Sequence, residues 1–227
     1  MSRQRPPGLF ITGTDTDVGK TFVAASIVRR LRARGLRVGV YKPAASGCHV
    51  QDGVLVSDDA LALWEAAGRP GALADVCPQC FVAPLAPHLA ALAEHRKIDT
   101  ALLRSGLDRW LDNSDIVIVE GAGGLLSPLG PTDYIATLAR DFGLPLIVVA
   151  DNSIGMIHRT LATLLAAEKF AAPLAVAGVI LNQVRQPDAS SASNLAELQA
   201  RCAAPVLGVV EQGGEAPDID WLALARS

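Results

Sequence analysis

The sequence predicts an α/β fold in which a mostly parallel β-sheet carries helices on both faces. Short apolar runs alternate with longer segments of helical periodicity, the pattern of repeated βαβ units. Half of the 227 residues are apolar but only 4% are aromatic, so Val, Leu, Ile and Ala must fill a large core. We expect one domain over residues 1–227.

Six apolar runs are the candidate strands. They are mostly continuous rather than alternating in polarity, which favours strands that are buried on both faces. Ligands of such sheets bind beyond the carboxyl ends of the strands, so the polar residues that follow each run are candidate functional residues. The runs are 8–12, 38–42, 116–120, 145–150, 176–182 and 205–210.

The clearest helix begins near Lys20. Val23, Ile27 and Leu31 share one apolar face, and Gly35 is a suitable stop signal. The same reasoning places helices over 59–67, 99–112, 134–142, 155–170 and 190–202, and loops over 69–88 and 211–218.

Composition excludes several classes of function. The net charge is −3, and a nucleic-acid-binding protein would need a basic patch. The apolar runs are far shorter than the roughly 20 residues of a membrane-spanning helix. The basic N-terminal stretch 1–7 precedes no long apolar segment, so we expect no secretory signal and a cytoplasmic location.

The cysteine pattern indicates ordinary reduced thiols. The chain has Cys48, Cys77, Cys80 and Cys202, and the single Cys77-Pro-Gln-Cys80 motif has no second pair at zinc-site spacing. A large apolar chain does not need disulfides for stability. Reduced thiols are therefore favoured over a metal or redox site, and the role of Cys77 and Cys80 stays open.

The strongest motif is Gly13–Thr21 (GTDTDVGKT), which follows a predicted strand and opens the best helix. Backbone N–H groups at a helix start bind phosphate oxygens, Lys20 would reach the outer phosphates, and the Thr21 hydroxyl would bind magnesium. The spacing differs from the usual phosphate-binding loop, because Thr14 stands where a glycine is common. The alternative, a glycine-rich turn without ligand, is disfavoured by this context.

Lys42 follows the second predicted strand. A lysine beside a phosphate loop can stabilise charge on a transferring phosphoryl group, or hold an anionic intermediate. A solvated surface lysine is the alternative. Ser46, four residues later, indicates nothing by itself.

Acidic residues follow in two places. Glu120 ends an apolar run, where a phosphate-loop enzyme has an acidic magnesium ligand. The following Gly121-Ala122-Gly123 would let the backbone approach a bound molecule closely. Asp58 and Asp59 either cap a helix together with Ser57, or place a second carboxylate near the metal.

Two further positions are open to more than one interpretation. Asn182 and Gln183 follow a predicted strand, and an amide can read an adenine edge or simply form a turn. No His or Cys stands at metal-ligand spacing from His158, but His158 lies near a helix start, where an anion could dock.

Five segments together resemble the dethiobiotin synthetase family, in the same order and at the same intervals. The resemblance covers nearly the whole chain to about Asn182 and is specific as a combination. The segments are Gly13–Thr21, Tyr41–Gly47 (YKPAASG), Ser57–Leu63 (SDDALAL), Phe81–His88 (FVAPLAPH) and Val119–Gly124 (VEGAGG).

The resemblance implies an ATP-dependent ring closure in biotin synthesis. One amine of 7,8-diaminononanoate would capture CO2 as a carbamate, ATP would phosphorylate that carbamate, and the second amine would close the cyclic urea. Dethiobiotin, ADP and phosphate would be the products. The family implies Mg²⁺ as cofactor and a homodimer whose interface holds the substrate, with no nucleic-acid or membrane partner.

The resemblance also assigns roles to residues. Lys42, Lys20 and Thr16 would be catalytic, and Thr16, Ser46 and His158 would bind the diamine or its carboxylate. The magnesium ligands would be Thr21, Asp59 and Glu120, with Asp59 preferred over Asp58. The nucleotide would contact Asp17, Val18, Gly19, Lys20, Thr21, Phe22, Asp59, Glu120, Gly121, Ala122, Gly123, Asn182 and Gln183.

Two departures from the family pattern matter. Gly208–Gly213 lacks the proline of the family's Gly-Glu-Ile-Pro segment, so the adenine pocket differs and nucleotide selectivity stays open. His158 stands where the family can have Asn, which would make binding of the substrate carboxylate sensitive to pH.

Two other classes of protein share the phosphate loop. An ATP-driven partitioning switch carries an additional lysine near the start of that loop, and this chain has none between Met1 and Lys20. An amidotransferase-linked synthase needs a glutaminase domain, for which 227 residues leave no room.

Overall fold

Six parallel strands form the central sheet of the computed structural model, which describes residues 5–170 and 173–226. The strand order is β2-β5-β1-β6-β7-β8. The strands are Gly8–Gly13 (β1), Val38–Tyr41 (β2), Ile116–Gly124 (β5), Leu146–Asp151 (β6), Val176–Asn182 (β7) and Val206–Val210 (β8). Part of the basic N-terminal stretch, residues 1–4, lies outside the described residues.

Ten helices and a small hairpin complete the described fold. The hairpin pairs His49–Gln51 (β3) with Val54–Val56 (β4) in antiparallel fashion. The longer helices are Lys20–Ala33 (α1), Asp58–Ala66 (α2), Ile135–Phe142 (α7), Met156–Lys169 (α8) and Ser191–Gln199 (α9). The shorter ones are Leu73–Val76 (α3), Pro87–Ala93 (α4), Thr100–Ser105 (α5), Asp108–Asn113 (α6) and Trp221–Leu224 (α10).

The predicted fold class is confirmed, and all six predicted strands are present in parallel pairing. The strands are buried almost throughout, except β8 at the sheet edge, which is half-buried. This explains why their sequences lack alternation. In the described residues no helix is long and apolar enough to cross a bilayer.

The prediction of one helix over 99–112 is wrong. The segment forms α5 and α6, and Tyr41 of β2 explains the break. Its hydroxyl oxygen lies 3.0 Å from Leu103 O and 3.2 Å from Leu102 O, either of which can accept its one proton, and a Cβ on Gly106 would lie 2.3 Å from that hydroxyl oxygen. The approach of a buried tyrosine therefore interrupts a segment whose own periodicity favours a continuous helix.

The predicted loop over 69–88 is also wrong in part, since it contains α3 and the start of α4. Helices of four to seven residues are too short to show a clear apolar period. For the same reason helix α10 had no sequence signal. The hairpin β3–β4 was missed although its turn, Asp52-Gly53, is a residue pair typical of two-residue hairpin turns. The predicted loop over 211–218 is irregular as expected.

The register of the strands places the candidate functional residues together at the carboxyl ends of the strands. Ile11 of β1 pairs with Glu120 of β5, and Tyr41 of β2 pairs with Val119. Lys42 and Glu120 therefore leave neighbouring strands at the same level. On the other side of β1, Asp151 pairs with Asn182. All of these positions lie at the carboxyl ends of parallel strands, where α/β sheets bind ligands.

Candidate nucleotide and magnesium site

The loop after β1 leads into α1 through a glycine that no other residue can replace without strain. Gly19 has a φ of 82°, and a Cβ there would lie 2.0 Å from Nδ2 of Asn182. The first amide of α1 that bonds back along the chain is that of Val23, which donates to Gly19 O. The N–H groups of the first turn of α1 therefore have no intrahelical acceptor and can bind an anion.

The loop, the end of β2 and the end of β5 enclose one cavity of about 480 Å³. Most of the residues assigned by resemblance line it together. They are Thr16, Asp17, Gly19, Lys20, Thr21, Phe22, Lys42, Ser46, Asp59, Glu120, Ala122 and Gly123, joined by Ala45.

Lys20 lies along the loop rather than in solvent. Its side chain is mostly buried, and its Nζ donates to Asp15 O at 2.9 Å. Burial, followed by the nearby ammonium of Lys42, lowers the pKa of Lys20 below its ordinary value. Two ammonium groups thus face one cavity, an arrangement that polyanionic phosphates would stabilise.

Lys42 is buried between two carboxylates, so it is not a solvated surface lysine. Its Nζ lies 2.6 Å from Glu120 Oε1 and 2.7 Å from Asp59 Oδ2, and the Lys42 residue is only 2% exposed. Burial opposes the charge on Lys42, but Glu120 and Asp59 outweigh burial and raise its pKa above the ordinary value. Burial raises the pKa of the Asp59 carboxyl, but the ammonium of Lys42, with the Thr21 hydroxyl and Lys20, outweighs burial and lowers it below the ordinary value.

The oxygen atoms around Thr21 fit a magnesium ion. Thr21 Oγ1 lies 2.7 Å from Asp59 Oδ1 and 2.8 Å from Glu120 Oε1, although one hydroxyl can donate only one proton. Glu120 Oε2 is buried and has no hydrogen-bond partner among the described residues. Burial raises the pKa of the Glu120 carboxyl, with Lys42 acting against it. Magnesium prefers such hard oxygen ligands, one or two of them carboxylates.

The segment Ser57–Asp59 divides its roles between capping and the site. Ser57 is the N-cap of α2, where its hydroxyl accepts from Ala60 N at 3.3 Å. Asp58 points outward, with 81% of its side chain exposed, near His49. Asp59 turns toward Thr21 and Lys42. The capping alternative is thus confirmed for Ser57, and Asp59 as a carboxylate near a metal stays a prediction.

The remaining nucleotide candidates, Val18, Gly121, Asn182 and Gln183, are not among the residues that line this cavity. Asn182 donates from Nδ2 to Val18 O at 3.0 Å, which links β7 to the phosphate loop. Gly121 O lies 3.4 Å from the ammonium of Lys42. Gln183 is engaged within the protein at both ends, since Oε1 accepts from Asn152 and Nε2 donates to Arg185 O.

A second cavity, of about 470 Å³, adjoins the first. Thr16 lines both cavities, and His158 lines the second together with Arg159 and the segment 124–128 after β5. Sequence reasoning missed Ala45 and the segment 124–128, because small and apolar residues carry no chemical signal of their own. Only their position at the ends of β2 and β5 identifies them.

Comparison with known proteins gives consistent results. A family model described as AAA domain matches residues 7–216. The protein named ATP-dependent dethiobiotin synthetase BioD in Rhodopirellula baltica is 43% identical over 215 residues, covering 89% of this chain and 83% of its own. In Salmonella typhi, the protein named ATP-dependent dethiobiotin synthetase BioD 1 is 36% identical, covering 92% of this chain and 90% of its own.

Solved structures of lower identity share the fold. The septum site-determining protein MinD from Pyrococcus horikoshii aligns with a TM-score of 0.57 at 17% identity, covering 91% of this chain and 82% of its own. A ParA family ATPase from Chlorobium tepidum aligns with a TM-score of 0.56 at 16% identity, covering 92% and 84%. These likenesses concern the P-loop NTPase-type architecture alone, whereas the similarity of sequence extends over most of each relative. The chain belongs to the family of ATP-dependent dethiobiotin synthetases.

Proposed function

We propose that this protein closes the cyclic urea of dethiobiotin from 7,8-diaminononanoate, CO2 and ATP, releasing ADP and phosphate. Family membership supports the role in biotin synthesis. The observation that carries the detailed reaction is that Thr16 lines both cavities. A phosphoryl donor on the loop and an acceptor in the second cavity would meet at this residue.

The first cavity suits the triphosphate of ATP. The open amides of α1 and the ammonium of Lys20 would bind its phosphate oxygens. Asn182, beside Gly19, would face the adenine, and the irregular segment after β8 would form the other wall of that pocket. Thr21, Asp59 and Glu120 would hold Mg²⁺, which supplies charge neutralisation on the phosphates.

Lys42 stands where charge develops during the reaction. The first amine of the substrate captures CO2 as a carbamate, whose oxygen then attacks the terminal phosphorus of ATP. The Lys42 ammonium would stabilise the carbamate oxygens and the transferring phosphoryl group, because a charge in a buried site is worth more than in water. Attack of the second amine on the carbamate carbon then closes the ring and expels phosphate.

The second cavity suits the diamine and its carboxylate. Thr16, which lines both cavities, and Ser46 of the first cavity would contact the amines or the carbamate, and His158 in the second cavity would contact the carboxylate. An unchanged Michaelis constant for the diamine in His158→Ala would contradict that contact. A homodimer with the substrate at its interface, a single domain over 1–227 and a cytoplasmic location stay predictions.

Phosphate release tests the proposal directly. Protein is incubated with ATP, Mg²⁺ and bicarbonate, with and without the diamine, and dethiobiotin is identified by mass spectrometry. Release that depends on the diamine supports the ligase, whereas equal release without it indicates an ATP-hydrolysing switch. Lys42→Ala should abolish turnover and retain part of the ATP binding. Lys97→Ala, at an exposed loop position, is the matched control and should behave as the wild type.

A further inference from the structure

Three cysteines meet beside the segment that carries Lys42. Sγ of Cys77 lies 3.5 Å from Sγ of Cys80, and Cys48 lies on the neighbouring segment, where its N–H donates to Phe81 O at 2.9 Å. All three are free thiols. A disulfide requires the two sulfurs to approach to about 2.0 Å. The Cys77–Cys80 pair is therefore about 1.5 Å from bonding distance, a movement that side-chain rotation and a small backbone shift can supply.

A reagent in solution can reach Cys80, which is partly exposed, whereas Cys77 beside it is buried. Cys77 and Cys80 both line a cavity of about 350 Å³ that lies between α2, α3 and the strand β4. Cys80 is partly exposed, and Arg96 lies at the same cavity with its guanidinium donating to Cys80 O.

The backbone around this pair is the hydrogen-bonding partner of the catalytic segment. Lys42 N donates to Val76 O at 2.8 Å, and Ala45 N donates to Gln79 O at 2.9 Å. Residues 76–81 thus run beside residues 42–48, with a bridge between Ala45 and Cys80. A change in the Cys77–Cys80 turn would therefore be transmitted to the backbone that positions Lys42.

We propose that Cys77 and Cys80 are a site of reversible oxidation, at which a low-molecular-weight disulfide of the glutathione class converts the two thiols into an intrachain disulfide and displaces the Lys42 segment. One cysteine loses its proton to solvent and attacks a sulfur of the small disulfide, which expels one thiolate. The second cysteine, also deprotonated, attacks the first cysteine's sulfur in the mixed disulfide and expels the other thiolate. The protein dithiol loses two electrons, the small disulfide gains them, and the two released thiolates take up protons.

Peptide mapping tests the chemistry without reference to activity. The full-length protein is incubated with oxidised glutathione, alkylated and digested with an endoprotease that cleaves before Asp. Residues 75–98 then contain Cys77 and Cys80 alone, whereas Cys48 lies in 17–51. We expect peptide 75–98 two hydrogens lighter and unalkylated. A cross-link to 17–51, a lasting glutathione adduct, or two alkylated cysteines would each overturn the proposal.

The effect on the Lys42 segment rests on the proposed function and is measured separately. Oxidation should lower diamine-dependent phosphate release at least about tenfold, since misplacement by about 1 Å can cost two orders of magnitude. The ATP dissociation constant should stay within about twofold, because the phosphate loop does not bond to 76–81, and dithiothreitol should restore the rate. Disulfide formation with an unchanged rate would refute the coupling. An inactive reduced protein would refute the proposed function and leave the mapping result valid.

Two variants identify the thiols responsible. Cys77→Ala and Cys80→Ala should keep their rates after oxidant treatment, and Cys202→Ala, remote in the chain, should lose its rate as the wild type does. Circular dichroism before treatment establishes that each variant is folded. Loss of activity on oxidation in Cys77→Ala would show that another thiol is responsible and overturn the assignment.

Discussion

Replacing Lys42 by Met should destabilise the protein by several kcal/mol even without substrate. Lys42 neutralises Glu120, which is fully buried, and Asp59, whose side chain is 45% exposed. Methionine keeps most of the volume of the side chain and removes the charge. Glu120 would then keep one oxygen that already has no partner in the described residues and lose the strongest partner of the other.

The magnitude follows from burial. Removing one partner of a buried ion pair costs about 3–5 kcal/mol, because an uncompensated charge stays in the interior. Asp59 is half-exposed, so water replaces much of what it loses and its share is at most about 1 kcal/mol. We therefore expect a loss of about 3–6 kcal/mol, which is dominated by Glu120.

Urea unfolding at neutral pH, with a chelator present, measures the loss. Lys97→Met, at an exposed position, is the control and should change the free energy of unfolding by less than about 0.5 kcal/mol. The double variant Lys42→Met/Glu120→Gln should recover at least half of the loss, since it removes the buried charge as well. A Lys42→Met protein as stable as the Lys97→Met control would refute the reasoning.

Three further predictions concern the phosphate loop, its contact with β7, and the segment that follows β7. Gly19→Ala should weaken ATP binding at least tenfold by calorimetry, whereas Gly35→Ala, with the same φ of 82° but nothing within 4 Å of the new Cβ, should not. Asn182→Ala should cost about 1–3 kcal/mol in urea unfolding, because it leaves the buried Val18 carbonyl without its donor. Hydrogen bonds from the Ser190 hydroxyl and backbone N–H groups lower the pKa of the Asp188 carboxyl to about 2. The wild type should therefore have a larger free energy of unfolding than Asp188→Asn. This difference should be complete above pH 3.8, the ordinary pKa of Asp, and should disappear as the pH falls toward 2.

Different outcomes would contradict each of these. If Gly19→Ala and Gly35→Ala weakened ATP binding equally, backbone strain, rather than the clash with Asn182, would be the cause of the loss of affinity. An Asn182→Ala protein of wild-type stability would mean that water replaces the lost donor. A constant difference between wild type and Asp188→Asn across acidic pH would show that charge is not the source of its stabilisation.

The local pattern of the sequence was sufficient to predict the strands and the phosphate loop. Continuous apolar runs predict buried parallel strands because both faces must be apolar, and β1, β5 and β7 follow that rule. The Gly13–Thr21 motif is a contiguous segment whose function depends on its own backbone. The resemblance added the order of the motifs and their intervals, and the comparisons confirmed the family it named.

Sequence by itself thus determined the architecture and the residue types available for catalysis, since both follow from neighbours in the chain. The resemblance preferred Asp59 over Asp58, but only the tertiary structure shows that Asp59 turns inward and Asp58 outward although they are adjacent. Tertiary structure also decided that Lys42 is neutralised by Glu120, that Tyr41 interrupts a helix, and that two thiols approach beside the Lys42 segment. These contacts join residues distant in sequence, and their energies depend on burial, which only the packed chain defines.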